Sequence, residues 1–232
     1  MKKISLFIAA LFIACTFSFA QNKPLNGSGK IIYKTFAYNQ FDKIELVGLN
    51  GKVNVTVGKP FSVQIAIDDN LADMLAEKET NGKLIIELTG NKNNKLYLEK
   101  NNISINISMP EISVLQNGTN CNVAVNNIVG RYFRIENFSN GSASLSGSID
   151  KLDIKKKGNG NINARELKAK SGTIAVSGNG NIKINATENF SVSGFGNGDV
   201  INIGPGKMRA GSRIFGNGRV ITKSGQQSES PN

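Results

Sequence analysis

Three groups of side chains in this sequence have the right types for chemistry: a sparse set of carboxylates, a cluster of basic residues between positions 151 and 170, and the cysteine at 121. Histidine is absent from all 232 residues. That excludes Ser-His-Asp and Cys-His catalysis and the common zinc sites. A polysaccharide lyase or hydrolase needs carboxylates gathered on one face, as a calcium site or an acid/base pair. Here Asp150, Asp153 and Asp199 fall at different places in the repeat that organises the chain. Asp68, Asp69 and Asp73 have the spacing of calcium ligands, but the cap of a short helix accounts for them more simply. Gly158-Asn159-Gly160 has the composition of a phosphate loop and no helix after it to supply the dipole. The expectation is therefore a chain that is not an enzyme, with no catalytic residue, no metal and no cofactor.

The basic cluster comprises Lys151, Lys155, Lys156, Lys157, Arg165, Lys168 and Lys170, in a chain of formal net charge +11. Such a balance favours anionic partners, and acidic glycan, lipopolysaccharide or another surface protein fits an exported chain better than nucleic acid. The same residues equally suit outward strand positions that keep an edge soluble. Tryptophan is absent, and the tyrosines are Tyr33, Tyr38, Tyr97 and Tyr132. Few platforms for sugar stacking are thus expected near the lysines.

The elements that must position these groups follow from an asparagine that recurs in the frame x-Asn-small-polar-apolar-x-apolar. Copies centred on Asn120, Asn140, Asn159, Asn179, Asn197 and Asn217 are separated by 20, 19, 20, 18 and 20 residues. Asn50 and Asn81 fit the frame as well. A glycine-rich turn followed by a short β-type run, at a period near twenty, predicts an all-β fold, a single-stranded parallel β-helix in which each coil stacks on the one before. Leu115, Ile135, Ile154, Ile174 and Val192 stand five residues before successive asparagines, and apolar pairs such as Val123/Val125 and Ile182/Ile184 follow them. Side chains two apart share a strand face, so each coil should supply two short strands with apolar inner faces. Coils about 4.8 Å apart would let the asparagine amides form a ladder along one edge. Cys121 falls where most copies have glycine, and reads as a small, semi-buried thiol.

Near the start, strand patterns at 41–46, 53–57 and 61–67 are interrupted at 70–78, where Asn70, Leu71, Met74 and Leu75 predict a short helical insertion. A polar loop at 89–95 and an extra strand at 103–107 follow. Residues 1–20 read as an export signal, with Lys2 and Lys3 ahead of an apolar run and Ser18-Phe19-Ala20 before the cleavage point. Cys15 raises the alternative of a lipid-anchored cysteine, which Phe12 three places before it disfavours. The remaining divisions are a flexible leader over 21–35, one β-helical domain over 36–223 and a polar tail over 224–232, with no membrane span in the mature chain.

A Phe-x-Lys-Ile-x-Leu opening at 41–46, a strand-Met-Pro-x-Ile-x-x-Leu step from Ile105 to Leu115, and serial Gly-x-Gly-polar-apolar rungs carry a family resemblance. The chain resembles the putative auto-transporter adhesin, head GIN domain family over about 36–223. The resemblance implies a β-helical, extracytoplasmic protein, placed in the periplasm, at the outer-membrane surface or outside a Gram-negative type cell. It brings adhesion into view and carries over no functional residues, because the family's motif is structural. The expected role is a non-catalytic envelope or surface module for adhesion or glycan contact. The alternatives are a β-helical polysaccharide-active enzyme and a purely structural envelope component.

Overall fold

The computed structural model describes residues 24–91, 96 and 98–223. The expected export signal with Cys15, the first residues of the leader, residues 92–95 of the polar loop and the tail over 224–232 lie outside the described residues. Alternation of apolar and polar side chains at period two is satisfied almost everywhere by strand. In chain order these are β1 (Ile31–Phe36), β2 (Lys43–Val47), β3 (Lys52–Val57), β4 (Ser62–Asp68), β5 (Leu75–Thr80), β6 (Lys83–Leu88), β7 (Ser104–Met109) and β8 (Val114–Gly118). Four long ribbons follow: β9 (Asn122–Asn137), β10 (Ala143–Lys157), β11 (Ile162–Ser177) and β12 (Ile182–Phe195). The last coils hold β13 (Val200–Asn202), β14 (Lys207–Met208), β15 (Arg213–Phe215) and β16 (Val220–Thr222). The whole is an all-β solenoid of about five turns.

Each long ribbon pairs in parallel with its neighbours along nearly its full length. The burial pattern shows how such a ribbon closes into a coil. In β11 the inward positions run Ile162, Ala164, then Leu167, Ala169, then Gly172, Ile174, Val176, with the alternation broken at Arg165-Glu166 and Lys170-Ser171. Each break is a corner. A coil therefore has three flat segments, not the two expected, because Leu167 and Ala169 turn a third short face inward between polar corners. The sequence frame centred on the asparagine passed over this middle segment.

The inward side chains stack in columns. Ile44, Leu115, Ile135, Ile154, Ile174 and Val192 are in register, as are Val53, Val123, Ala143, Ile162, Ile182, Val200 and Val220. Phe133, Leu152, Gly172 and Phe190 form another, in which the missing side chain of Gly172 leaves room beside the fully buried Phe190 ring. One column is polar: Leu46 is followed by Asn117, Asn137 and Lys156, all buried, before Val176 resumes the apolar run. Asn117 Nδ2 donates to Asn137 Oδ1 at 2.8 Å, Asn137 Nδ2 to the Gly141 carbonyl at 2.8 Å, and Lys156 Nζ to the Gly158 carbonyl at 2.8 Å. Asn137 and Lys156 satisfy turn carbonyls from the inside, and Asn117 supports Asn137. Burial pushes the Lys156 amine down to a pKa of about 8.

The Gly-Asn-Gly turn has a separate reason for each glycine. Gly178 sits at φ +123°, a conformation side chains rarely adopt. Gly180 has ordinary φ but lies against the coil below, where an added Cβ would stand 2.3 Å from the Gly160 carbonyl oxygen.

At the N-terminal end the stacking departs from chain order. β2 lies between β6 and β8, and β3 between β7 and β9, so the coil of residues 43–57 is inserted between two later segments. Outside it, β4 pairs antiparallel with β7, and β1 antiparallel with β4. The start of the solenoid is thus closed by antiparallel strands, one way of managing a sheet edge. Three readings of the sequence are corrected here. Residues 31–36, placed largely in a flexible leader, are strand β1, held by antiparallel pairing with β4 from Ile31 opposite Asp68 to Phe36 opposite Val63, with Asp68 also accepting from the Gly29 amide just before it at 2.9 Å. Asn81 is not a coil turn; with Gly82 it makes the two-residue β5–β6 hairpin, both at positive φ, as an Asn-Gly type I′ turn requires. The helix expected over 70–78 is a 3₁₀ turn over Asp69–Met74 followed by β5, because Leu75 begins antiparallel pairing with Leu88. The Asn70 side chain does not cap it, and instead grips the Ser28 amide and the Asn26 carbonyl.

Two consequences are measurable. Gly180→Ala should lower stability by about 1–3 kcal/mol, the usual range for overpacking, read as a fall in Tm with retained β-type circular dichroism. Lys156→Met keeps the apolar stem and removes the buried charge, which offsets the cost, about 1–3 kcal/mol, of leaving the Gly158 carbonyl unpaired, so its Tm at pH 7 should equal or exceed that of the parent. Unfolded lysine keeps its proton to about pH 10.4, while Lys156 in the folded chain loses it near pH 8. The parent should therefore gain stability relative to Lys156→Met as pH rises through that window. A gap that did not close between those pH values would contradict the burial of the amine.

Candidate functional site

Two lines of polar side chains run along the turn edge. In the first, Asn159 Nδ2 donates to Asn140 Oδ1 at 3.2 Å, Asn179 to Asn159 at 2.9 Å, Asn197 to Asn179 at 2.7 Å and Asn217 to Asn197 at 3.1 Å. Asn120, at the lower end, accepts from Ser139 Oγ at 3.0 Å. The second line stands two residues on: Asn122, Ser142, Asn161, Asn181 and Asp199 each accept, through the side chain, the backbone N–H of the next coil. Sequence reading missed this second line. Its signal is the second asparagine of Gly-Asn-Gly-Asn, present at Asn161 and Asn181. One such hydrogen bond contributes about 0.5–1.5 kcal/mol net, less than the roughly 1.5–3 kcal/mol for burying one isoleucine. Each buried core side chain therefore contributes more than one rung of the ladder, and the amides hold the same register at the edge.

The carboxylates are also engaged by neighbouring coils. Asp150 meets Lys170 at 2.8 Å, and Asp153 takes Arg134 at 2.7 Å and the Tyr132 hydroxyl at 3.1 Å. Asp199 pairs with Arg219 at 3.0 Å. Glu136 lies between Arg134 and Lys155; burial pushes its carboxyl up, but the bonds from Gln116 and Lys155 outweigh that and hold it below the usual range. Asp150, Asp153 and Asp199 stand on different columns, and the described residues hold no group of three or more histidine, cysteine or acidic residues placed for a metal. Asp68 and Asp69 are spent on the N-terminal segment, through Gly29, Asn102, Ser28 and Lys30. Cys121 is fully buried with its pKa raised to about 11 by burial, so it is a protonated thiol at neutral pH.

The seven basic residues do not form one patch. Lys156 points inward, which removes it from any surface; its place in the alternation of β10 puts it in the core, between outward Lys155 and Lys157. Lys155 and Lys157 border a surface depression of about 350 Å³ with Phe138, Ala175, Ser177 and Ser193. Lys168 and Lys170 border another, of about 410 Å³, with Val129, Asp150 and Thr187. Lys151 lies at the corner between these faces, and Arg165 at the next corner. A third depression, of about 380 Å³, is lined by Lys52 and amide and hydroxyl residues after the turn, including Asn54, Asn122, Asn161 and Asn163.

Lys157, Ser177, Phe195 and Phe215 share one outward column, with Phe138 at its lower end, and the three phenylalanines are about half exposed or more. The Arg213 guanidinium lies over the Phe215 ring, 4.4 Å from its centroid. The expectation that the lysines lack aromatic neighbours is corrected: Phe138, Phe195 and Phe215 come from three different coils, and the single-coil frame did not connect them.

No helix among the described residues is long and apolar enough to cross a membrane. Among solved structures, the chain is similar to a putative adhesin from Bacteroides fragilis NCTC 9343, at 21% identity and TM-score 0.62, covering 85% of this chain and 99% of that one. It is also similar to a putative lipid binding protein from Parabacteroides distasonis ATCC 8503, at 19% identity and TM-score 0.46, covering 86% and 99%. A putative adhesin from Parabacteroides merdae ATCC 43184 matches at 16% identity and TM-score 0.43, covering 85% and 98%. No curated protein matches the sequence. The family model described as putative auto-transporter adhesin, head GIN domain matches residues 40–206. With that match over most of its length, the chain belongs to the putative auto-transporter adhesin, head GIN domain family.

Proposed function

We propose that this protein is an exported, non-catalytic adhesion module of the cell envelope that meets an anionic glycan through its basic solenoid faces. On this reading residues 1–20 direct export, and 36–223 act as one rigid binding unit displayed at the outer surface. The observation that carries it is the asymmetry of charge use. Of the six carboxylates on the coils over 120–223, Glu136, Asp150, Asp153 and Asp199 each have a cationic partner and Glu166 and Glu188 make no ion pair among the described residues, whereas Lys151, Lys157, Arg165, Lys168, Lys183, Lys207 and Arg213 make none. Net positive charge is thus left outward on a stiff scaffold most of whose coil carboxylates serve stacking. Family membership supports adhesion, and the amide ladders account for the turn motif without any catalytic role.

Binding of this kind is electrostatic at exposed groups, where screening shortens from about 10 Å at 0.1 M salt to about 3 Å at 1 M. On an array of acidic and neutral glycans, the purified chain should retain acidic members and release them as salt rises. Replacing Lys151, Lys157 and Lys168 together by serine should weaken binding about tenfold, while stability changes by no more than about 0.5 kcal/mol, as for surface substitutions. Lys156 is left out because it is a core residue. Retention of neutral and acidic glycans alike, or release of cleaved sugar products during incubation, would overturn the proposal.

A further inference from the structure

Resting on that reading, we infer that the depression beside Lys155 and Lys157 is a trough for one strand of an acidic polysaccharide. Its shape follows from the register. Along the outward columns the residues are tall at Lys155 and Lys157, short at Ala175, Ser177 and Ser193, and tall again at Phe195, Arg213 and Phe215. The low ground runs with the strand direction of β11. It lies between a cationic wall, with Phe138 behind it, and a wall of aromatic rings and one guanidinium.

The chemistry of the walls selects the occupant. Lys155 is held by Glu136, but Lys157 has no ion pair among the described residues, and Arg213 stands over the Phe215 ring with no ion pair among the described residues, so that its fork can meet a carboxylate or sulfate. Phenylalanine offers a ring face to the C–H face of a pyranose. The backbone lines of the two walls are two coils apart at Lys157 and Phe195, about 10 Å, and three apart at Lys155 and Arg213, about 14 Å. An α-helix, itself about 10–12 Å across, does not fit past the narrow end. An extended peptide finds no sheet edge, because the β11 backbone beneath is paired to β10 and β12 on both sides. A lipid surface calls for a broad apolar patch, whereas here the phenylalanines stand in a single column interrupted by Lys157 and Ser177. A linear sugar chain bearing regularly spaced acid groups meets all of these conditions.

The test uses galacturonic acid oligomers as probe, their methyl esters as the uncharged counterpart, and the whole mature chain. The acidic oligomer should bind by titration calorimetry and the ester at least tenfold more weakly. Ser177→Phe fills the trough without changing charge and should reduce binding at least tenfold. Phe195→Ala should do the same, and Lys157→Glu should abolish it, with unchanged circular dichroism in all three. If Ser177→Phe and Phe195→Ala bind as the parent does while the Lys151/Lys157/Lys168 serine variant fails, the trough is overturned and the electrostatic adhesion reading stands. If the parent binds no acidic glycan at all, both fall. Equal binding of the ester, or displacement of the oligomer by polyglutamate or by vesicles of anionic lipid at matched charge, would also overturn the trough as a glycan site.

Discussion

The close approach of one turn's backbone to the turn beneath it governs this molecule. A carbonyl of one coil meets the Cα of the next with no space for a side chain at Gly160, Gly180 and Gly198. Because the turns nest, ribbons above and below pair in parallel over most of their length, with register shifts taken up at a corner, between Ser144 and Ser146 on one side of β10 and between Leu145 and Gly147 on the other. That in turn lines up isoleucine over isoleucine in the core and asparagine over asparagine at the edge. A slip by one residue would send every inward side chain outward, so core and turn enforce the same register. The buried polar column at Asn117, Asn137 and Lys156 belongs to the same constraint, since tightly nested turns present carbonyls that need donors from inside.

Parallel stacking leaves two ends, and the chain treats its N-terminal one distinctively. Inserting the 43–57 coil between later segments lets β1, β4 and β5 close over the outermost coil in antiparallel fashion. The buried Asp68 carboxylate fastens this cap. Burial pushes its pKa up, but the Asn102 and Gly29 donors outweigh burial and hold it below the usual carboxylate range. Its contribution is therefore present at neutral pH and lost on acidification through that lowered pKa.

Function follows from what this arrangement leaves over. The ladder amides and the carboxylates of Glu136, Asp150, Asp153 and Asp199 are drawn into contacts between coils. The faces retain what the stacking does not use: lysines without partners, a few phenylalanines, and low strips of serine and alanine between them. Since neighbouring coils are in register along each flat face, such leftovers are ordered along the axis. A single column can then combine Lys157 with Phe195 and Phe215 from different turns.

By itself the sequence determined the solenoid. The twenty-residue asparagine repeat, the apolar residues around it and the bracketing glycines are local patterns, and local patterns report strand, turn and period because those depend on φ/ψ preference and side-chain alternation. The family was legible for the same reason. Tertiary structure alone decided the rest. The third face of each coil escaped because its two apolar residues are too few to show a period. The insertion of one coil out of order is a matter of strand pairing, which sequence distance does not encode, and Asn81 looked like a coil turn because a hairpin turn asks for the same Asn-Gly chemistry. Lys156 reads as one of three adjacent surface lysines until the alternation of β10 turns it inward. The alignment of Phe138, Phe195 and Phe215 exists only once the coils are stacked, since residues far apart along the chain become neighbours through a rise of about 4.8 Å per coil.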